Sequence, residues 1–525
     1  MLWTATVISN VGTWMQEVAS GWLMTSLSPS PLMVALVQAA TTAPIFLFAL
    51  GAGALADLAD RRKLLIAVTA FMAIIALVLA ILVLLDLVSP SILLVFTFLS
   101  GTGAAFVWPA WQAIVPQLIP RSELQPAITL NGAGMNVSRA IGPALAGLLI
   151  ASLGIVWPYL LNAASYMVVI AALVWWRPPP LQETYLPAER FWSAIRSGLR
   201  YARGSHPLRA TLVRAIAFFV FASAYWALLP LIARQELAGG PKLYGLMLGG
   251  VGLGAVIGAL FLPKLSRLLG PDAQVAAGTG GTALVLVIFA LVARPEAAVL
   301  ASLIAGASWI AVLASLNVSA QVALPDWVRA RGLSIFVTIF FGSMALGSVI
   351  WGQAASLVGI PAALIIAAVG ALVAAGLSWP YKLQLGADLD LSPSFYLPQP
   401  IVAKEFEADR GPVMVTVEYR IDPARKADFV EAMNELKEER RRGGAYAWGL
   451  FEDVAEPSRY LEYFIAESWL AHLRHHERTS EADRLVRAKA LGFHIGEDDP
   501  VVRHLLAPGP GDEPATLPPD DGELQ

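Results

Sequence analysis

The sequence predicts an all-α membrane protein of twelve transmembrane helices, arranged as two six-helix pseudo-repeats and followed by a small soluble α+β domain. Three observations carry that expectation. The 525 residues are 57% hydrophobic and 14% charged, with a mean hydropathy of +0.64, whereas soluble domains are about 45–50% apolar and about 25% charged. Stretches of roughly 20 apolar residues, the length a spanning helix requires, recur through the first 380 positions. A constant offset of 205 residues aligns the first half of that region with the second.

The elements follow in order. Residues 1–27 resemble a signal peptide in length, but they lack a basic leader and are followed by many similar segments, so they read as the first span. The start at Met1-Leu2-Trp3 predicts a natural N-terminus slightly longer than this one. Spans are expected at 4–27, 32–56, 64–86, 90–117, 126–152, 156–176, 211–233, 243–263, 273–293, 297–324, 332–357 and 360–380. With 57–63 on the inner side, alternate loops carry fifteen Lys and Arg residues, and the opposite loops only Arg234, Lys242 and Arg294. That bias predicts a multi-pass protein of the cell (inner) membrane with both termini and the 178–210 loop cytoplasmic. A net charge of −3 without a basic groove gives no reason to expect nucleic acid. The absence of cysteine excludes disulfides, thiolate metal sites and thiol catalysis.

The offset of 205 aligns Gly53-Ala54-Leu55 with Gly258-Ala259-Leu260, Gly101 with Gly306, Gly142 with Gly347, Gly147 with Gly352 and Gly154-Ile155 with Gly359-Ile360, without a gap. Two parallel six-helix halves joined by a basic loop are one of the repeat architectures of transporters. The stretch Gly53-x-Leu55-x-Asp57-x-x-Asp60-Arg61-Arg62-Lys63 resembles the signature between helices 2 and 3 of the major facilitator superfamily, with Asp60 where glycine is commoner. Asn131-x-x-x-x-Asn136-x-x-Arg139-x-x-Gly142-Pro143-Ala144-x-x-Gly147, after Pro109-x-x-Gln112 and Pro120-Arg121, is similar to the branch holding the enterobactin exporter and the transmembrane secretion effectors. Pro325-Asp326-Trp327-Val328-Arg329-Ala330-Arg331 is similar to the same branch, and the resemblance covers about residues 1–385.

The resemblance implies two halves that rock about a central site, with the 57–63 loop latching one half to the other. Asp57 ends the second span, where an acid is unfavourable to the helix dipole, so it is expected to pair across the halves with Arg61 and Arg62 closing the network. Gly53 would allow close helix approach. Topological anchoring alone would also account for the arginines. Leu262 stands opposite Asp57 in the repeat, which makes the latch asymmetric.

Glu17 and Arg139 fall deep inside spans 1 and 5, where an ionisable group is costly unless paired or facing a water-filled cavity. They are candidates for a coupling or substrate site, with a structural pair as the alternative. Asn10 and Thr13 share a helical face with Glu17, and Asn136 lies on span 5; helix–helix hydrogen bonding competes as an explanation for the asparagines. Gly142, Pro143 and Gly147 predict a bend in span 5. Trp14, Trp22, Trp108, Trp111, Tyr225 and Trp226 are candidates for an aromatic cavity or for packing and interface roles.

Prolines 393, 398 and 400 mark a linker, and after Gly411 the chain turns charged and alternating. Strands are expected at 413–421, 446–454, 459–467 and 499–506, with helices at 423–442 and 468–490; that βαββαβ order is ferredoxin-like. The helix with Trp469, His472, Arg474, His476 and Asp483 resembles the dimeric α/β barrels of the antibiotic-biosynthesis monooxygenase type, which implies a dimerising or regulatory module. His472 and His476 have metal-ligand spacing but no third ligand. The tail beyond Pro508 is acidic and proline-rich, and disorder is expected there. The domains expected are 1–177, a loop 178–210, 211–385, a linker 386–411, a soluble domain 412–507 and a tail 508–525.

The function that follows is a secondary active, proton-coupled exporter of a small amphipathic molecule such as a siderophore, macrolide or other drug. No enzyme activity, cofactor or metal is expected, and the missing GxxxxGK[ST] motif argues against a fused ATPase. The partners expected are a small-molecule substrate, protons, the lipid bilayer and a second copy of the chain joined through the soluble domain. The rival readings are a membrane-tethered oxygenase and a ligand sensor acting through that domain.

Overall fold

The computed structural model describes residues 2–58, 60–118, 124–176, 199, 201–383, 410–478, 480–496 and 498–508. They form two compact units: 1–191, 207–321 and 333–385 in the first, and 192–206, 322–332 and 386–525 in the second.

The first unit is built from long helices: α1 (Leu2–Leu27), α2 (Pro31–Leu58), α3 (Arg61–Leu84), α4 (Pro90–Leu118), α5 (Leu124–Ser152), α6 (Val156–Trp175), α7 (His206–Leu231), α8 (Pro241–Leu268), α9 (Pro271–Leu291), α10 (Pro295–Val322), α11 (Asp326–Val358) and α12 (Ile360–Leu377), of which the end residues 206, 322 and 326–332 fall in the second unit. Eleven of the described helices are long and apolar enough to cross a membrane. α1 is not among them, because Asn10, Thr13, Gln16 and Glu17 lower its hydropathy. Proline opens α2, α4, α8, α9 and α10; at the first turn its missing N–H costs nothing. Asp60 caps α3 by accepting from the Lys63 amide at 3.1 Å. α7 begins at His206, five residues before the expected 211, and passes into a π-helical turn at Ile232–Glu236.

The repeat seen in the sequence recurs in the packing. Gly101 of α4 abuts the Thr41 carbonyl of α2, and Gly306 of α10 abuts that of Val251 of α8. Gly142 meets α1 at Val11 and Trp14, and Gly347 meets α7 at Val220 and Ser223. Gly147 of α5 lies against Gly245 of α8, and Gly352 of α11 lies against Ala35 of α2. Gly154 and Gly359, which precede α6 and α12, both take positive φ, +105° and +85°, a conformation in which only glycine is unstrained.

In the second unit, β1 (Val413–Arg420), β2 (Ala447–Glu452), β3 (Arg459–Ala466) and β4 (Val501–Leu506) form an antiparallel sheet in the order β2-β3-β1-β4. One face carries Val417, Tyr419 and Tyr460, which pack on Phe429, Met433 and Leu436 of α13 (Lys426–Gly443). The expected single helix at 468–490 is instead two, α14 (Trp469–Arg478) and α15 (Glu481–Leu491). Ser480 causes the break, because it and Asp483 form a capping box that starts a new helix. The same unit includes the helical residues 201–204: Tyr201 donates to the Ala323 carbonyl at 3.2 Å, and Gly204 leaves room for the stem of Arg442, which pairs with Asp483 at 3.0 Å.

Candidate functional site

The two six-helix halves of the first unit meet closely at the end that carries the α1–α2 and α7–α8 turns. A Cβ on Gly147 would stand 2.7 Å from the Pro241 carbonyl oxygen and 3.0 Å from the Gly245 Cα, so α5 and α8 touch backbone to backbone. Gly252 likewise faces the Arg139 carbonyl, and Gly352 faces Leu32. Arg234, in the π-helical turn, donates to Thr25 Oγ1 at 2.9 Å and to Ser26 Oγ at 2.6 Å. Its guanidinium lies 5.4 Å from the Trp22 ring, which stacks on Tyr244 at 6.2 Å. These contacts bolt α1 of one half to α7 and α8 of the other.

Inside that closure lie the ionisable groups. Arg139 of α5 sits 5.5 Å from the Trp14 ring centroid and within electrostatic reach of Glu17 of α1 and Tyr225 of α7. The structural pair held as the alternative is not formed: among the described residues neither Glu17 nor Arg139 has an ion-pair partner. Trp14 holds the guanidinium by a cation–π contact instead. Beyond Tyr225, the rings of Trp226, Trp309, Phe219 and Phe340 meet in succession, mostly edge to face, with centroids 5.6, 5.3, 5.3 and 4.4 Å apart. The Tyr225 and Trp226 proposed for a cavity wall are thus brought together with Arg139, while Trp108 stands 47% exposed and Trp111 donates to Asn131 at 3.4 Å.

Other expected site residues fall elsewhere. Thr13 is committed to the α1–α6 seam, hydrogen-bonded to the Ser9 carbonyl and at 3.2 Å from Tyr166 Oη. Gln16 continues that seam by accepting from the fully buried Asn162 at 2.7 Å. Asn10 and Asn136 are half-buried. Pro143 lies inside α5, and the glycines beside it are contact points, Gly142 for Trp14 and Gly147 for α8.

At the other end, the surroundings of Gly53 and the side chain of Asp57 lie outside the described residues. Arg62, expected in a latch across the halves, donates from Nε to the Leu173 carbonyl at 2.8 Å and from Nη2 to that of Val174 at 2.5 Å, tying α3 to the end of α6 within its own half. The second half has its counterpart. Asp272 in the first turn of α9 pairs with Arg214 at 3.0 Å and accepts from the Leu383 amide just past α12. Arg61 has a partner of its own. In the second unit, His472 is buried beside His504, their rings 4.9 Å apart; the side chain of His476 lies outside the described residues, and no group of three metal-ligating residues occurs among them.

Sequence reasoning passed over Arg234, Tyr244 and Gly245. The available signals were Arg234 as one of three cations on the sparsely charged side, and the small-residue run Gly245 to Gly254 in α8, which marks close helix approach.

Two repeated helical halves, bolted at one end over the buried Arg139, define a multi-pass membrane protein built as a duplicated helical bundle. The chain matches the transmembrane secretion effector family over residues 1–509, and it belongs to that family. Its curated relatives include the Staphyloferrin A transporter of Staphylococcus aureus, 22% identical over 50% of this chain and 65% of the relative. They also include the enterobactin exporter EntS of Salmonella typhimurium, 27% identical over 59% of this chain and 74% of the relative. The chain therefore spans just under two thirds of the first of these. Among solved structures it resembles a bacterial homologue of the human lysosomal transporter Spinster, inward-facing and unoccupied, with a TM-score of 0.55 at 14% identity over 72% of this chain and 95% of that one. It also resembles the nucleoside transporter NupG, with a TM-score of 0.53 at 11% identity over 72% and 98%. At those identities the likeness is one of fold.

Proposed function

We propose that this transporter is a secondary active exporter of small amphipathic molecules, working by alternating access and coupled to protons. The observation that carries the reading is Glu17 and Arg139, one on α1 and one on α5, within electrostatic reach yet not paired, in the interior beneath the closed end. A charged pair held apart in a low-dielectric interior is easily rearranged by a proton or a ligand. The two relatives named for siderophore transport or export favour a siderophore-like cargo over an enzymatic role for the chain.

The positive-inside bias supports twelve spans with both termini cytoplasmic, and on that orientation the bolted end faces outward and the chain stands inward-facing. Asp57 and Gly53 then belong to a latch that forms when the cavity turns outward, with Arg61 as a participant and Arg62 kept as a brace of α3 on α6. The sheet order β2-β3-β1-β4 supports a ferredoxin-like domain of the dimeric α/β-barrel type. The sheet face away from α13 exposes Phe451, Leu461 and Leu505, an apolar surface that suits a second copy.

The test is accumulation of dyes, macrolides and siderophores in cells with and without the protein across an imposed pH gradient. Lower accumulation that collapses with the gradient is expected, and Glu17→Gln should abolish substrate-driven proton flux. Flux that persists in Glu17→Gln removes that residue as the carrier.

A further inference from the structure

Five buried side-chain polar atoms of the first unit lack a hydrogen-bond partner among the described residues: Arg139 Nε, Arg214 Nε, Tyr225 Oη, Trp226 Nε1 and Thr282 Oγ1. Three of them belong to one neighbourhood. Arg139 lies within electrostatic reach of Tyr225, and the rings of Tyr225 and Trp226 are 5.6 Å apart, with the indole N–H directed towards the Tyr225 hydroxyl but short of hydrogen-bond geometry. A guanidinium N–H and an indole N–H can only donate, and a phenol O–H donates readily. Leaving such groups buried and unpaired is unfavourable, so a surplus of donors at one place calls for acceptors from elsewhere.

We propose that this cluster is the headgroup site for an anionic, acceptor-rich ligand carrying a planar body. Carboxylate oxygens accept from Arg139 Nε, Tyr225 Oη and Trp226 Nε1, and a planar body lies along the aromatic wall of Trp226, Trp309 and Phe340. The proposal rests on the transport reading above and narrows it, since an acidic siderophore satisfies these donors and a basic macrolide does not. Among the described residues, Glu17 is the acid within electrostatic reach of Arg139. Because it forms no ion pair with Arg139, the donors stay available to a ligand. A cation attracted to Glu17 would be repelled by Arg139 and would leave all three donors unmatched. The site draws on both halves, Arg139 from α5 and Tyr225 and Trp226 from α7, so a bound anion joins them across the interior.

The test is isothermal titration of the purified full-length protein with 2-naphthoate, 2-naphthamide and 2-naphthylmethylammonium, which share one body and differ in charge. Naphthoate is expected to bind at least about tenfold more tightly than the amide, with the ammonium weakest. Arg139→Gln should erase that order, and Arg139→Lys should keep part of it. Equal or absent responses to the three probes, a preference for the ammonium, or an order unchanged in Arg139→Gln overturns the proposal. Uphill accumulation in everted vesicles separates the two readings. Anion preference in titration without accumulation keeps the site and removes export, whereas accumulation of the ammonium in preference to the carboxylate keeps export and removes the site.

Discussion

Arg234 should govern how long the transporter stays closed at the end where α1 meets α7 and α8. Its guanidinium makes two hydrogen bonds, to Thr25 and Ser26 at 2.9 and 2.6 Å, and one ring contact with Trp22 at 5.4 Å. The side chain is exposed, so the lower ends of the usual ranges apply: about 0.5–1 kcal/mol per hydrogen bond and about 0.5–1 kcal/mol for the cation–π contact. Arg234→Ala therefore removes about 2 kcal/mol from the closed form. At about 1.4 kcal/mol per factor of ten, the ratio of open to closed should rise roughly 30-fold. The chain has no cysteine, so spin labels can be placed without a prior cysteine-free background. Labels at Leu153→Cys, just past α5, and Lys242→Cys, in the first turn of α8, span the contact from two exposed positions. Pulsed dipolar spectroscopy should then show a longer-distance population growing in Arg234→Ala, with Arg234→Lys in between. A distance distribution that matches the parent would refute the assignment of Arg234 as the bolt.

The remaining predictions concern other parts of the chain. Gly147→Leu places a side chain against the backbone of Pro241 and Gly245; overpacking of about 1–3 kcal/mol should open the same labelled pair and slow transport, and normal turnover would show that α5 and α8 need not touch. Asp57→Asn should slow transport while membrane insertion, followed by surface labelling, stays normal; turnover equal to the parent removes the latch. In the soluble domain, burial pushes the Glu439 carboxyl up to about 7 from 4.5, against the opposing pull of Arg440. An acid raised in this way favours its neutral form, so its contribution to stability is complete below about pH 4.5 and is lost as the pH rises through about 7. Glu439→Gln should therefore protect β1 from hydrogen exchange at pH 8, by on the order of 3 kcal/mol at most, with little effect near pH 4.5; equal protection in parent and variant at pH 8 would contradict the burial argument.

The span boundaries were legible because a bilayer imposes one demand, roughly 20 apolar residues with every backbone group bonded within the segment. The expected start of α12 at 360 and ends of α1 and α5 at 27 and 152 coincide with the helices found. The repeat was legible from glycines, since close backbone approach leaves a mark that no larger residue can imitate. α1 shows the limit of hydropathy: of its candidate site residues Asn10, Thr13 and Glu17, Thr13 serves the seam with α6, beside Gln16. The break between α14 and α15 was missed because Ser480 and Asp483 were read as positions within a helix rather than as a cap. The state of Glu17 and Arg139 was also out of reach, since depth in the membrane predicts that a charge needs company but not which kind.

The sequence by itself determined that this chain lies in a membrane, that its helices form two related halves, and that Glu17 and Arg139 are unusual at their depth. These are properties of composition and of intervals along the chain, and the hydrophobic effect and backbone hydrogen bonding act on them locally. Only the tertiary structure decided that Arg139 rests on Trp14 beside Tyr225, that Arg62 holds the Leu173 and Val174 carbonyls at the end of α6, and that Arg234 closes the end where α1 meets α8. Those outcomes depend on which helix faces meet. In helices apolar on every side, the pattern of one helix carries little record of its neighbours, and small-residue contacts and a few directional polar bonds select among packings of similar burial.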